Sequence, residues 1–264
     1  MNSCRVLAVH ASNRIVWPSW LNRDYMRTSC LELLKRPLLF PHGAELGDVA
    51  TLKECPSEGH DDPVLFVEGN TMSWHGLGKG WREGTLKVCG YAGDEVGSLM
   101  LGGSIDIEGS VQSGAGSGMS GGTLTVRGSA GDFLGGPWGN RPWQGGTIVA
   151  REAGSHAGFA MARGILIVDR AGDSLGSLMR AGTIVVKEFQ AVGRGIRRGS
   201  IVTFDPMRPP DYFQLSGVLV SSYMDLLRVA LRQNERDWLD RIKVTQRFMG
   251  DQDDLAKGEF LLCQ

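Results

Sequence analysis

The sequence predicts an all-β fold, a right-handed parallel β-helix of about seven coils of 17–19 residues. Three observations predict it. Of the 38 glycines, 31 lie between Gly76 and Gly199. Alternating apolar runs recur there at a near-constant spacing. That region holds no segment of helical length.

Residues 1–62 are ordinary in composition and are expected to cap or dock the coil. Within them LELLKRPLLF (31–40) is a mixed helical or extended piece, limited by Pro37 and Pro41. The repeats occupy 63–204. Units begin at Gly84, Gly103, Gly122, Gly146, Gly164, Gly182 and Gly199, with steps of 19, 19, 24, 18, 18 and 17. The long step contains the insertion GPWGNRPW (136–143).

Three columns run through the units. The first holds Leu86/Val88, Ile105/Ile107, Leu124/Val126, Leu166/Val168 and Ile184/Val186, whose period of two buries one strand face. The second holds Val96, Ala115, Leu134, Ala157, Leu175 and Val192. Each is followed by a corner glycine: Gly97, Gly116, Gly135, Gly158, Gly176 and Gly193. The third is Met100, Met119, Met161, Met179 and Ile196. Methionine suits such a ladder because its flexible thioether fills irregular space.

After Phe204, DPMRPP (205–210) breaks the pattern. SYMDLLRVALRQ (222–233) then has helical spacing, with Ser222 and Asp225 as an N-cap pair. A helix there, extending toward Ile242, is predicted to cap the last coil, and the tail DQDDLAKG is predicted to be polar and mobile. The expected organisation is 1–62, 63–204 and 205–264.

GAGSGMSGG (114–122) spells the dinucleotide-binding glycine pattern, but TLTV (123–126) follows it, where a helix is required. Each of its residues also has a repeat role, so no nucleotide site is read there. A net charge of −1 gives no bulk attraction to nucleic acid or anionic membrane. No apolar run reaches membrane-spanning length, and the N-terminus does not read as a secretory signal. The five cysteines (4, 30, 55, 89, 263) are scattered, which predicts reduced thiols and a cytoplasmic protein.

Local chemistry is sparse. His10, His42, His60, His75 and His156 form no metal-binding motif. Asp94, Asp132 and Asp173 recur at one repeat position. They read as a carboxylate ladder for calcium or, more simply, as acceptors for corner N–H groups. HGLGKGWREG (75–84) reads as closure of the first coil rather than a phosphate loop. Trp138, Arg141 and Trp143 of the insertion are residue types of interface hot spots, the alternative being that the tryptophans fold back onto the body. Among outward strand positions, Val149, Ile167 and Val185 are apolar, which suits a buried protein interface.

The repeat, best seen in GGTLTVRGSAGDFLGG (121–136) and ARGILIVDRAGDSLGSLMRAGTIVV (162–186), resembles the glycine-repeat β-helix of glutamate synthase large subunits. It also resembles the glycine-repeat subunit of formylmethanofuran dehydrogenase. A free-standing chain of this length fits the second. Arg163 and Arg180 before the strands give it the style of the bacterial formyltransferase/hydrolase complex. The resemblance covers about 64–204. Gln112 and Gln190 depart from it where glycine is favoured, as does Arg170.

The resemblance implies a non-catalytic structural subunit in methanopterin-dependent one-carbon metabolism. Its implied partners are a metal-dependent amidohydrolase-like subunit, a molybdopterin-type subunit or its remnant, and a formyltransferase. It implies no cofactor on this chain. Zinc, molybdopterin and methanofuran or its analogue would sit on the partners. The alternatives are a detached glutamate synthase-type domain and a stand-alone β-helix enzyme.

Overall fold

The structure is a computed structural model that describes residues 4–10, 14–25, 27–39, 43–55, 63–206, 209–218, 244–250 and 257–263. The chain order is β1 (Cys4–Val9), β2 (Ile15–Val16), α1 (Leu21–Asp24), α2 (Cys30–Leu34), α3 (Leu46–Val49), β3 (Ala50–Cys55), β4 (Val64–Glu68) and β5 (Trp74–His75). Then come β6 (Thr85–Cys89), β7 (Ser104–Ile107), β8 (Thr123–Ala130), β9 (Gln144–Ala153), β10 (Arg163–Ala171), β11 (Thr183–Phe189) and β12 (Ser200–Thr203). The last strands are β13 (Phe213–Gly217), β14 (Val244–Gly250) and β15 (Gly258–Cys263).

The fold is mostly sheet. One mixed sheet of 13 strands has the order β13-β14-β15-β12-β11-β10-β9-β8-β7-β6-β4-β1-β3. From β4 to β12 each main-sheet strand pairs in parallel with the next, one repeat away. The register stacks like on like: Leu65, Leu86, Ile105, Leu124, Ile148, Leu166, Ile184 and Ile201 form one continuous line. All are buried. Parallel strands need a crossover, and here the rest of each repeat supplies it without a helix.

The other two columns also face inward. Val96, Ala115, Leu134, Ala157, Leu175 and Val192 are buried, as are Met100, Met119, Met161, Met179 and Ile196. Parallel bridges link Thr71, Ala92, Val111 and Ala130 in a second line. The corners are hydrogen-bonded in both directions. The N–H groups of Glu95 and Leu99 donate forward to the carbonyls of Ser113 and Ser117, both at 2.8 Å. Those of Gly97 and Leu101 donate back to Leu77 and Trp81, also at 2.8 Å. These corner amides thus find carbonyl partners in the neighbouring repeats.

Both ends switch to antiparallel pairing. At one end β1 lies between β3 and β4, and the edge strand β3 exposes Thr51, Lys53 and Glu54, which blunt it against pairing with another chain. The 31–40 segment splits as its prolines require. Ser29 caps α2 by accepting from the Glu32 N–H at 3.4 Å, and Pro37 lies beyond its end. At the other end β15 joins β12 in parallel and extends the interior line with Phe260. The predicted helix at 222–233 lies outside the described residues. In the described part of 205–264 the chain forms strands β13 to β15, and Gly258 of the expected mobile tail opens β15.

Two expectations are corrected. Cys4 is disulfide-bonded, so the chain is not thiol throughout. Antiparallel pairing sets it opposite Cys55 in the β1–β3 ladder. Val149, Ile167 and Val185 are not an open stripe: they are buried within this chain, in one cluster with Val202, Leu261 and Cys263. They therefore present no free apolar face to a partner.

Candidate functional site

The sharpest local feature is a repeated left-handed backbone. Glu95 (φ 62°), Gly114 (75°), Phe133 (59°), His156 (62°) and Ser174 (60°) occupy the same place in successive repeats. Of the six column glycines, Gly97, Gly116, Gly135, Gly158 and Gly176 have φ of 64–70°. Gly193 departs: it lacks a positive φ, and a Cβ there would meet Ser177 Cα at 2.6 Å. Left-handed residues other than glycine cost roughly 1–2 kcal/mol each. Their side chains lie over the next repeat. Glu95 Cγ is 3.5 Å, and Leu99 Cδ2 3.0 Å, from where a Cβ would stand on Gly114 and Gly118. At these two places a large side chain in one repeat lies over a bare glycine in the next.

Around Gly114 this leaves a groove of about 780 Å³. Its floor is Gly76, Ser113, Gly114 and Ser117. One wall is Arg14 and Val16 of the N-terminal segment, and the other is Pro137, Trp138 and Gly139 of the insertion. The N-terminal wall is held because β2 pairs in parallel with β5. Lys79 Nζ stands 3.7 Å from the Trp138 ring centroid, a cation–π contact that ties the insertion to the first coil. His75 Nδ1 lies 3.3 Å from Asp94 Oδ2, while Asp94 Oδ1 accepts from the Ser113 N–H at 3.0 Å. Among the described residues neither Arg14 nor Lys79 has a carboxylate within salt-bridge distance.

An aromatic column continues from the groove. Phe133 stacks on His156 at 4.8 Å and 20°, and Phe159 meets Phe133 edge-on at 5.9 Å. Phe133 keeps 42% of its surface exposed.

The three insertion residues separate. Trp143 is fully buried, with its Nε1–H donating to the Gly145 carbonyl. Its ring fills the space over Gly135 and Gly164, so it is core and not surface. Trp138 is half-buried. Trp138 and Arg141 exchange backbone hydrogen bonds of 2.8 and 2.9 Å around Gly139, and Arg141 remains exposed. The recurring aspartates bond corners: Asp132 Oδ1 accepts from the Ser155 N–H at 2.8 Å, and Asp173 from Ser174 at 2.7 Å. Among the described residues no three His, Cys, Asp or Glu side chains gather as a metal cluster. His42 and His60 lie outside the described residues.

Two of the thiols, Cys89 and Cys263, are poor nucleophiles. Burial, then the charges of Glu108 and Glu68, push the Cys89 pKa up. Burial alone pushes Cys263 up to about 12.

The groove was missed by sequence reasoning because its walls come from residues 14, 79 and 138. The one signal was the period break at 136–143.

No protein-family model matches the sequence, and no curated protein matches it. A solved structure does. The chain is similar to one in the crystal structure of the formyltransferase/hydrolase complex (FhcABCD) from Methylorubrum extorquens in complex with methylofuran. The TM-score is 0.84 and the identity 29%, over 97% of this chain and 98% of that one.

Proposed function

We propose that this chain is a structural subunit, of the glycine-repeat type, in a cytoplasmic formyltransferase/hydrolase complex. The carrying observation is the end-to-end likeness to a chain of such a complex, at 29% identity. In this reading the repeats wind as a right-handed parallel β-helix. Its hydrogen-bonded ladders make a stiff frame on which other subunits are held in fixed relation. Formyl-group chemistry belongs to those subunits: an amidohydrolase-like chain, a formyltransferase, and a molybdopterin-type chain or its remnant. Zinc and the methanofuran-type carrier are assigned to them as well. Support from this chain is that its sharpest surface features are a groove and aromatic rings, with the buried Cys263 thiol held protonated.

The test is purification of the tagged full-length chain from its native host, with the bound chains identified by mass. Recovery of amidohydrolase-like and formyltransferase chains in equal amounts is the expected result. Recovery of the chain alone, monodisperse and stable, overturns the reading.

A further inference from the structure

We propose that the corner carrying Arg163, Arg180, Arg197, Arg198 and Lys257 docks an acidic face of another subunit; this rests on the scaffold reading above. Here the chain turns into β10, β11, β12 and β15. Backbone bonds fix the residues in successive turns. The N–H groups of Arg180 and Arg197 donate back to the carbonyls of Met161 and Met179, both at 2.8 Å, and that of Lys257 to Arg197 at 2.9 Å. In that register Arg197 stands over Arg180, and Lys257 over Arg198, each one strand spacing of about 4.8 Å away. All five are exposed, and among the described residues none has a carboxylate within salt-bridge distance. The stretches 155–168, 174–187 and 189–204, which run through this corner, contain no Asp or Glu.

The corner is an exception within the molecule. Where Arg127, Arg170 and Arg247 stand on strands, a carboxylate of the neighbouring strand answers each: Asp106 at 2.9 Å, Glu152 and Glu259. Like charges stacked on neighbouring strands oppose folding. One acid in the ladder would relieve them, as Glu152 does for Arg170, and the corner holds none. The whole chain carries a net charge of −1, so the excess is local. Nearby acids do not cancel it. Glu259 is held by Arg247 and by Ser200. Asp251, Asp253 and Asp254, tethered just before Lys257, are three acids against five cations. Arg163 lies three strand spacings from Lys257, about 14 Å. The complementary occupant is therefore an anionic surface spanning several repeats. Composition favours a protein as its bearer. Four of the five are arginine, whose planar fork pairs with carboxylates in two-pronged fashion. Leu178, two residues before Arg180, keeps 50% of its surface exposed and adds an apolar contact beside them. Arginine is enriched at protein interfaces, whereas nucleic-acid backbones are met chiefly by charge.

The experiment uses the intact complex. Carbodiimide coupling of the complex carrying Arg180→Lys joins amines at this corner to carboxylates in direct contact, and the joined peptides are identified by mass. Peptides of another subunit rich in Asp and Glu are expected. Joining only to 251–254 of this chain, or no joining, overturns the proposal. In parallel, the Arg180→Glu/Arg198→Glu pair should leave the unfolding midpoint of the isolated chain unchanged or raised, because stacked repulsion is relieved. The same pair should weaken assembly at least tenfold and flatten its salt dependence, while Arg180→Lys/Arg198→Lys keeps most of the assembly. Assembly unchanged by the charge reversal overturns the proposal. So does binding of single-stranded RNA or phosphatidylserine vesicles that the reversal abolishes while assembly persists. If instead the unaltered chain captures no other protein of the complex, the scaffold reading itself has failed, and the two failures are told apart.

Discussion

At the scale of single residues, the interior tolerates little. Gly116 has φ 67°, and a Cβ there would stand 2.5 Å from Ile148 Cδ1. Gly116→Ala therefore meets both a left-handed backbone and a filled core. About 1–2 kcal/mol from the first and about 1–3 from the second are expected, read as a fall in the denaturant midpoint. Cys263 gives a pH prediction. Its folded pKa is raised by burial to about 12, against 9.0 for the free thiol. Below pH 9 both folded and unfolded states hold the proton, so the thiol contributes no pH slope. From pH 9 to about 12 only the folded state holds it, so stability falls as pH rises, by up to about 1.4 kcal/mol per unit. Urea titrations from pH 8 to 10.5 on the native chain and on Cys263→Ala check this, because the variant should lose that part of the slope. Alkylation at pH 8 should likewise spare Cys263 until the chain unfolds.

At the scale of elements, what could be read in the sequence was whatever repeats. The columns of Leu124, Ala115 and Met119 fall at a fixed spacing, and all three turned out to be buried. The closing strand β15 could not be read that way. Its run EFLLC lies 55 or more residues beyond the last repeat strand and follows no period, so only the folded chain shows that it pairs with β12. The candidate site was half legible. The insertion broke the period and drew attention, but composition alone could not say which tryptophan turns inward. Bulky residues in a left-handed conformation are also uncommon, so nothing in the sequence marks Phe133 and His156 as left-handed. The insertion supplies the contrast to measure. Trp143→Ala should cost about 3–5 kcal/mol, because it empties a buried ring site against Gly135 and Gly164. Trp138→Ala should cost under about 1.5 kcal/mol, since it loses a half-exposed ring and its contact with Lys79. Thermal melts of both variants decide it, and equal losses would contradict the placement.

At the scale of the whole molecule, each repeat is bonded to its two neighbours, so stability is close to a sum of nearest-neighbour terms. That property allows one repeat to be removed. Residues 103–121 form one unit of 19 residues, and deleting them joins Gly102 to Gly122. The junction restores the original Gly-Gly before a strand, and Leu86 then faces Leu124 where Ile105 had faced each. Both are leucine-or-isoleucine core positions, so the ladder closes with its inward face unchanged. The shortened chain is expected to remain folded, with an undiminished β signal per residue in circular dichroism and a cooperative melt at a lower temperature. Deleting only 104–112 instead removes nine residues, about half a repeat, and with them the whole of β7, so the remaining half-repeat has no strand of its own to stack in the ladder. That chain should aggregate or remain unfolded. If both deletions behave alike, the ladder is not the unit of stability. The full-unit deletion also removes Ser113, Gly114 and Ser117, the floor of the groove. A chain that stays folded after losing those residues would show that the frame does not depend on the groove, only on the stacking of whole repeats.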